Sequence, residues 1–141
     1  RSGFVIGDSK IIECYKRLRS YSAPTIPIPI QLASSKLWDD DKHVSANREK
    51  YKKKLALADK IFSDYKYYES PEAGFFLWLK VNNAKKFVKK AFYYYSVKIM
   101  PGEYLAAGEK NNPGTNYIRL ALVHSYKKNK IALQQIAKLL K

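Results

Sequence analysis

Residues 117–123 read YIRLALV, an apolar run in which large aliphatic side chains recur at every second position. Ile118, Leu120 and Leu122 would share one face of an extended strand, because successive side chains of a strand point to opposite faces. The second face would then carry the remaining side chains of the run: Tyr117, Arg119, Ala121 and Val123. The pattern therefore predicts a β-strand that packs on a core by one face.

Arg119 is the unusual residue of that strand. The chain has 22 Lys and five Arg residues, and after Arg48 every basic side chain except Arg119 is Lys. A guanidinium on an apolar strand needs a partner, because an unpaired buried charge is costly. Its planar fork suits a carboxylate, which it can bind through two parallel hydrogen bonds. The residues alone leave two interpretations open: a clamp for a substrate carboxylate, or an Arg in a structural ion pair or pointing to water.

The patterns on the amino-terminal and carboxyl-terminal sides of this strand predict a small sheet with helices. Residues 75–79 (FFLWL) and 97–100 (VKIM) predict two more strands. Residues 83–95 and 127–140 have apolar positions at helical spacing, and Lys side chains cover the outer face of the first of these helices. The predicted fold class is α/β, a two-layer α+β arrangement in which helices pack on one side of a short mixed or antiparallel sheet.

The first half of the chain is mainly helical in pattern. Phe4-Val5-Ile6 predicts a short buried strand, and Asp8 or Ser9 caps a helix that should end near Tyr21. The prolines of TIPIPI, residues 25–30, argue against a regular helix there, and a short helix is expected over 30–38. Residues 39–64 form the longest helical pattern, and its three leading Asp residues favour the positive end of the helix dipole.

The composition sets bounds on the class of protein. A chain of 141 residues has room for one domain or for part of a larger one. Its single cysteine, Cys14, excludes an internal disulfide and a cysteine-based zinc site, which favours a reducing, cytoplasmic location. No apolar stretch is long enough to span a bilayer. His43 and His124 are not part of any cluster with metal-ligand spacing, so no metal site is predicted.

The net charge of +15 raises the possibility of a polyanionic partner. Residues 71–141 contribute +10 of that charge and residues 1–70 contribute +5. A free-standing basic α/β module that binds nucleic acid is therefore the alternative function. Against it, the Lys residues follow the solvent faces of predicted helices, and Lys greatly outnumbers the Arg that base and phosphate readers favour.

Five segments in one order and spacing carry a resemblance to a known family. They are RSGFVIGD, RLRSYSAPTIPIPIQLAS, SPEAGFFLWL, VKIMPGEY and NYIRLAL. Together the segments resemble the C-terminal part of a fold type I, class I/II aminotransferase that depends on pyridoxal phosphate. The resemblance runs from Arg1 to Lys141 and is nearest to the succinyldiaminopimelate aminotransferase group, with the aspartate aminotransferases near by.

The resemblance implies transfer of an amino group between an amino acid and a 2-oxo acid, with pyridoxal 5'-phosphate as cofactor. The lysine that holds the cofactor would fall upstream of residue 1, so no catalytic residue is expected within the chain, which should be inactive by itself. Arg1 corresponds to the family's contact with the cofactor phosphate, and Arg119 to its grip on the substrate α-carboxylate. The implied assembly is a homodimer, without nucleic acid or membrane as partner.

The same resemblance implies a domain organisation. Residues 1–38 would be the tail of the large cofactor-binding domain, 39–64 a long connecting helix and 65–141 the small C-terminal domain. One feature departs from the family: Leu18 occupies the position at which one subgroup of aspartate aminotransferases carries an Arg for the substrate side chain. Specificity for a dicarboxylate through that position is not indicated. A third possibility is an aminotransferase-like domain repurposed as a regulator, which loss of the upstream lysine would support.

Overall fold

The computed structural model describes residues 2–22, 25–106 and 111–140. The chain divides into two compact units, Arg1–Ser45 and Ala46–Lys141, called unit 1 and unit 2 below. Five α-helices, a short 3-10 helix and a three-stranded sheet make up its regular structure in the described ranges, and the sheet belongs to unit 2. The predicted class, helices with a small sheet, is confirmed.

Unit 1 consists of helices and their connections. Helix α1 spans Ser9–Ser22 and begins as predicted, because the Asp8 carboxylate accepts from the backbone N–H of Lys10 at 2.9 Å. Helix α2 spans Ile28–Trp38 and begins two residues earlier than expected. Its first turn contains a proline, which is tolerated there because the missing N–H would have had no helical partner.

The strand predicted over Phe4-Val5-Ile6 is wrong. These residues have no regular structure, and all three side chains are exposed. The physical reason is the need for a partner, because the N–H and C=O groups of a strand must pair with another strand. Among the described residues of unit 1 there is no strand with which they could pair.

Unit 2 contains the sheet, whose strands are β1 Phe76–Lys80, β2 Met100–Pro101 and β3 Tyr117–Ala121. The spatial order is β1-β3-β2, and both pairings are antiparallel. Strand β3, which was predicted from the sequence YIRLALV, is therefore the central strand. Arg119 lies directly opposite Trp78 on one side and Met100 on the other.

Three helices supply the second layer of unit 2. They are the part of α3 (Asp41–Phe62) from Ala46 onward, α4 (Ala84–Tyr95) and α5 (Tyr126–Leu140). A short 3-10 helix spans Gly102–Leu105. The core joins the inward residues of the strands with those of the helices: Leu57, Ala58, Phe62, Leu77, Leu79, Val81, Ala84, Ala91, Ile99, Ile118, Leu120, Leu122, Leu133 and Ile136. The helices thus cover one face of the sheet, as predicted.

Polar contacts fix the loops of this unit. Buried Asn129 donates from Nδ2 to the carbonyls of Leu122 and His124, both at 3.1 Å, which ties α5 to the segment after β3. Tyr68 donates to Asp59 at 2.6 Å. Burial of the phenol and this hydrogen bond both raise the pKa of Tyr68 above its usual range, because each disfavours the phenolate.

Two glycines permit a close backbone approach at one end of the sheet. A Cβ at Gly102 would lie 2.7 Å from the carbonyl oxygen of Gly114 and 2.8 Å from that of Tyr117. A Cβ at Gly114 would overlap the carbonyl of Gly102. The Asn112 side chain holds this crossing by accepting from Gly114 N–H at 2.8 Å and donating to the Glu103 carbonyl at 2.9 Å. Glycine is needed at both positions for the two segments to touch.

Candidate functional site

The outer face of the unit 2 sheet, opposite the helices, is apolar and accessible. Along β1 the side chains alternate between buried and exposed, which places Phe76 and Trp78 on this outer face. Met100 of β2 joins them, and all three are 37–42% exposed. The outer face is thus a surface of rings and a thioether, with Arg119 at its centre.

Arg119 extends from the central strand between groups of both neighbouring strands. Its Cζ lies 4.3 Å from the centroid of the Phe76 ring, within the range of a cation–π contact. Its Nη2 donates to the Sδ of Met100 at 3.2 Å. The guanidinium is therefore in contact with β1 and with β2, and the side chain is half-buried.

No carboxylate neutralises this guanidinium among the described residues. The ion pairs within those ranges are His43 with Asp40, at 3.2 Å, and Lys85 with Glu103, at 3.0 Å. The partners that Arg119 has are a neutral ring and a neutral thioether, so its positive charge is not compensated within the described part of the chain. A half-buried cation in this state attracts an external anion more strongly than a paired one.

Two aromatic rings extend the outer face beside Arg119. Trp78 and Tyr117 stack with their centroids 5.7 Å apart and their planes within 14° of parallel. Trp78 is the cross-strand neighbour of Arg119. The outer face therefore continues from Arg119 into a stacked pair of aromatic rings.

The other predicted site residue and the departure from the family lie in unit 1. Arg1 falls outside the described residues, so its assignment to the cofactor phosphate stays a prediction. Leu18 is exposed on α1. Unit 1 contains a groove of about 800 Å³. Its lining includes Phe4 and Trp38, whose rings contact each other edge to face, and the polar side chains of Lys16 and Gln31.

The remaining candidates from the sequence carry no site in the described ranges. Cys14 is exposed, and no group of three or more His, Cys, Asp and Glu residues there could hold a metal ion. The four Lys residues of α4 are exposed, as expected for the outer face of an amphipathic helix, and one of them, Lys85, pairs with Glu103. No described helix is both long and apolar enough to cross a membrane.

A helix-covered antiparallel sheet presents Arg119 on its accessible face, and no carboxylate among the described residues neutralises the charge of this arginine. The profile of the family described as aminotransferase class I and II matches residues 1–136, and the chain belongs to this family. The resemblance stated from the sequence is confirmed at that level. The nucleic-acid alternative receives no support from any comparison.

Solved structures and a curated protein give the same result. The chain superposes on an aminotransferase from Neisseria meningitidis with a TM-score of 0.87, at 33% identity, over 100% of this chain and 37% of that one. The aminotransferase AspB from Helicobacter pylori gives a TM-score of 0.81 at 34% identity, over 94% of this chain and 34% of that one. A probable aminotransferase from Mycobacterium tuberculosis is 27% identical over 123 residues, 86% of this chain and 28% of that protein.

The chain thus spans about a third of the length of these relatives. Members of the family depend on pyridoxal phosphate. The described residues do not fit the phosphate of this cofactor at Arg119, because a phosphate dianion takes several donors and the groups in contact with this guanidinium are a phenyl ring and a thioether, which donate none. The surroundings suit one carboxylate.

Sequence reasoning found Arg119 and missed its two contacts. Alternation along residues 75–79 predicts that Phe76 and Trp78 share a face. It does not show which strand lies beside them. The order β1-β3-β2 supplies that information, and the pairing of Met100 with Arg119 follows from it.

Proposed function

We propose that the intact protein is a pyridoxal-phosphate-dependent aminotransferase and that Arg119 binds the α-carboxylate of its amino-acid and 2-oxo-acid substrates. Membership of the family supports the reaction class. The observation that carries the role of Arg119 is its half-buried guanidinium, which no carboxylate of the described residues neutralises.

The contribution of this chain is recognition and orientation. Two parallel N–H groups of Arg119 donate to the two oxygens of the carboxylate, which fixes both the position and the plane of that group. In the intact protein the cofactor supplies the electron sink for the reaction.

We also propose a finer placement within the family, next to the succinyldiaminopimelate and aspartate aminotransferases. The similarity to AspB of Helicobacter pylori, at 34% identity, supports it. Leu18 offers no charge for a second carboxylate, so a dicarboxylate substrate would be recognised through another residue. Arg1 is proposed to contact the cofactor phosphate, and residues 1–38 to belong to the large domain.

Assembly and location complete this proposal. The exposed apolar side chains of α1 and α2, among them Ile28, Leu32 and Trp38, support a covered position of this segment in an intact homodimer. A cytoplasmic location is consistent with a single cysteine, because disulfide-stabilised proteins of oxidising compartments usually carry several.

The test is Arg119→Lys in the intact enzyme. Lysine keeps the charge but loses the planar fork, so the KM for the amino acid should rise by about 10- to 100-fold, the equivalent of one or two charge-assisted hydrogen bonds. The affinity for the cofactor, followed by its absorbance, should not change. Arg48→Lys, at an exposed position of α3, is the matched control.

Unchanged amino-acid affinity in Arg119→Lys, with a folded protein, would remove Arg119 from the proposed role. A loss of cofactor affinity equal to the loss of substrate affinity would contradict it as well. Arg48→Lys should match the parent enzyme in both measurements.

A further inference from the structure

Arg119 is held from both sides by side chains that carry no charge. Phe76, on β1, presents its ring to the guanidinium at 4.3 Å from Cζ. Met100, on β2, accepts from Nη2 at 3.2 Å. The two contacts reach the guanidinium from the two neighbouring strands, and together they restrict its orientation.

We infer that Phe76 and Met100 are positioning residues that preset the Arg119 guanidinium for a single carboxylate. An unrestrained Arg side chain loses much rotational freedom when it binds, and restraint in advance lowers that cost. An acidic partner would give the same restraint but would neutralise the charge that the ligand needs. A ring and a thioether restrain the group and leave its charge in place.

The register of the sheet makes this arrangement specific. Met100 pairs directly with Arg119 across β2 and β3. Phe76 pairs with Ala121, which places its ring diagonally from Arg119 on the same face. The guanidinium therefore lies between two strands whose relative position the ladder hydrogen bonds fix, and its orientation depends on sheet pairing and not on a mobile loop.

A first experiment measures the restraint itself on the 141-residue chain. NMR relaxation of the Arg Nε–Hε groups reports the mobility of each guanidinium, and the chain has only five Arg residues. The signal that disappears in Arg119→Lys identifies Arg119. Its order parameter should exceed about 0.6 in the parent chain and fall below that value in Phe76→Leu and in Met100→Leu.

Phe92→Leu is the matched control, because it removes an exposed ring of α4 outside the sheet. The order parameter of Arg119 should be the same in this variant as in the parent. A mobile Arg119 in the parent chain, or an unchanged order parameter in both sheet variants, would overturn the inference. Leu replaces Met at similar volume, so Met100→Leu keeps the fold and removes only the acceptor.

A second experiment, which rests on the proposed function, measures the consequence in the intact enzyme. Phe76→Leu and Met100→Leu should each raise the KM of the amino acid by about two- to fivefold at unchanged kcat, the size of one exposed cation–π contact for Phe76 and of one net hydrogen bond for Met100. Binding of the amino-acid amide, which lacks the carboxylate, should not change. A general loss of structure would affect acid and amide alike.

The outcomes separate the two claims. If Arg119→Lys weakens binding of the acid and the two sheet variants do not, the positioning inference fails and the proposed function stands. If Arg119→Lys has no effect on the acid, the proposed function fails, and the relaxation measurement still decides whether Phe76 and Met100 restrain the guanidinium. Equal losses for acid and amide in the sheet variants would contradict a role through Arg119.

Discussion

The two units differ in what they do with their apolar side chains. Helices α1 and α2 of unit 1, all of whose residues from Ser9–Ser22 and Ile28–Trp38 are described, contain no buried residue. Among its described residues, unit 2 buries fourteen apolar side chains in one cluster between its sheet and its helices. Unit 1 also carries large apolar side chains, such as Ile28, Leu32 and Trp38, but they are exposed in this chain, which spans about a third of the length of its relatives.

This difference shows which unit contributes most to the folding stability of the chain. Apolar area removed from water is the main favourable contribution to folding, and in the described residues unit 2 supplies it. Unit 1 has the local signals of helices, such as the Asp8 cap, without a core. Substitutions of the same kind in the two units should therefore have very different effects on the free energy of unfolding.

The largest contrast is expected for truncation of an isoleucine. Ile118 is 0% exposed in the centre of the sheet, and Ile28 is 70% exposed at the start of α2. Ile118→Ala should lower the free energy of unfolding by about 2–5 kcal/mol, whereas Ile28→Ala should change it by less than about 0.5 kcal/mol. Urea denaturation followed by circular dichroism measures both. Equal losses would show that unit 1 has a core of its own.

A smaller contrast is expected for the glycines. Gly114→Ala places a Cβ against the carbonyl of Gly102 and should cost about 1–3 kcal/mol, because two backbone segments must separate. Gly7→Ala meets nothing within 4 Å and should be neutral or slightly stabilising. Thermal unfolding of the two variants measures this difference in stability. A stable Gly114→Ala chain would mean that the crossing of residues 102 and 114 is easily deformed.

The smallest contrast concerns pH. Since burial and the Asp59 hydrogen bond raise the pKa of Tyr68 above its ordinary 10.0, the folded state holds this proton more tightly than the unfolded state. That contribution is fully present below pH 10 and is lost as the pH rises beyond it. Tyr68→Phe should lower the free energy of unfolding by about 1 kcal/mol at pH 7. It should also reduce the loss of stability above pH 10, and urea unfolding at several pH values measures both effects.

Asp40 of unit 1 is the matched case with the opposite sign. The His43 backbone N–H, together with the His43 side chain, lowers the pKa of Asp40 below its ordinary 3.8. Its contribution is present above that pH and is lost as the pH falls through the folded-state pKa. Because the group is fully exposed, Asp40→Asn should leave the stability at pH 7 within experimental error. A loss comparable to that of Tyr68→Phe would contradict the contrast between the units.

The fold of unit 2 follows from its sequence to within a few residues. Alternation predicted β3 and the face of each of its side chains, and helical spacing predicted α4 and α5. In unit 1 the same reasoning failed for Phe4-Val5-Ile6, because a short apolar run does not reveal whether a partner strand exists. The local sequence pattern determines whether a segment favours a strand. The strand forms only where the tertiary structure provides another strand to pair with it.

The candidate site also contains one residue that the sequence predicted and two that it did not. Arg119 was identified by its rarity among lysines and by its place in an apolar strand, and its role as a carboxylate clamp stays a prediction. Phe76 and Met100 were not identified, because their contact with Arg119 depends on a strand order that no local pattern contains.

The central position of β3 has a consequence for synthesis on the ribosome. β1 and β2 both pair with β3 and precede it in the chain. A nascent polypeptide that has not yet released residues 117–121 holds two short strands whose hydrogen-bonding edges have no complement in this sheet. Most of unit 2 must therefore be synthesised before its sheet can form. Until then the unpaired strand edges are exposed, and we expect chaperones that cover such edges to bind the nascent chain.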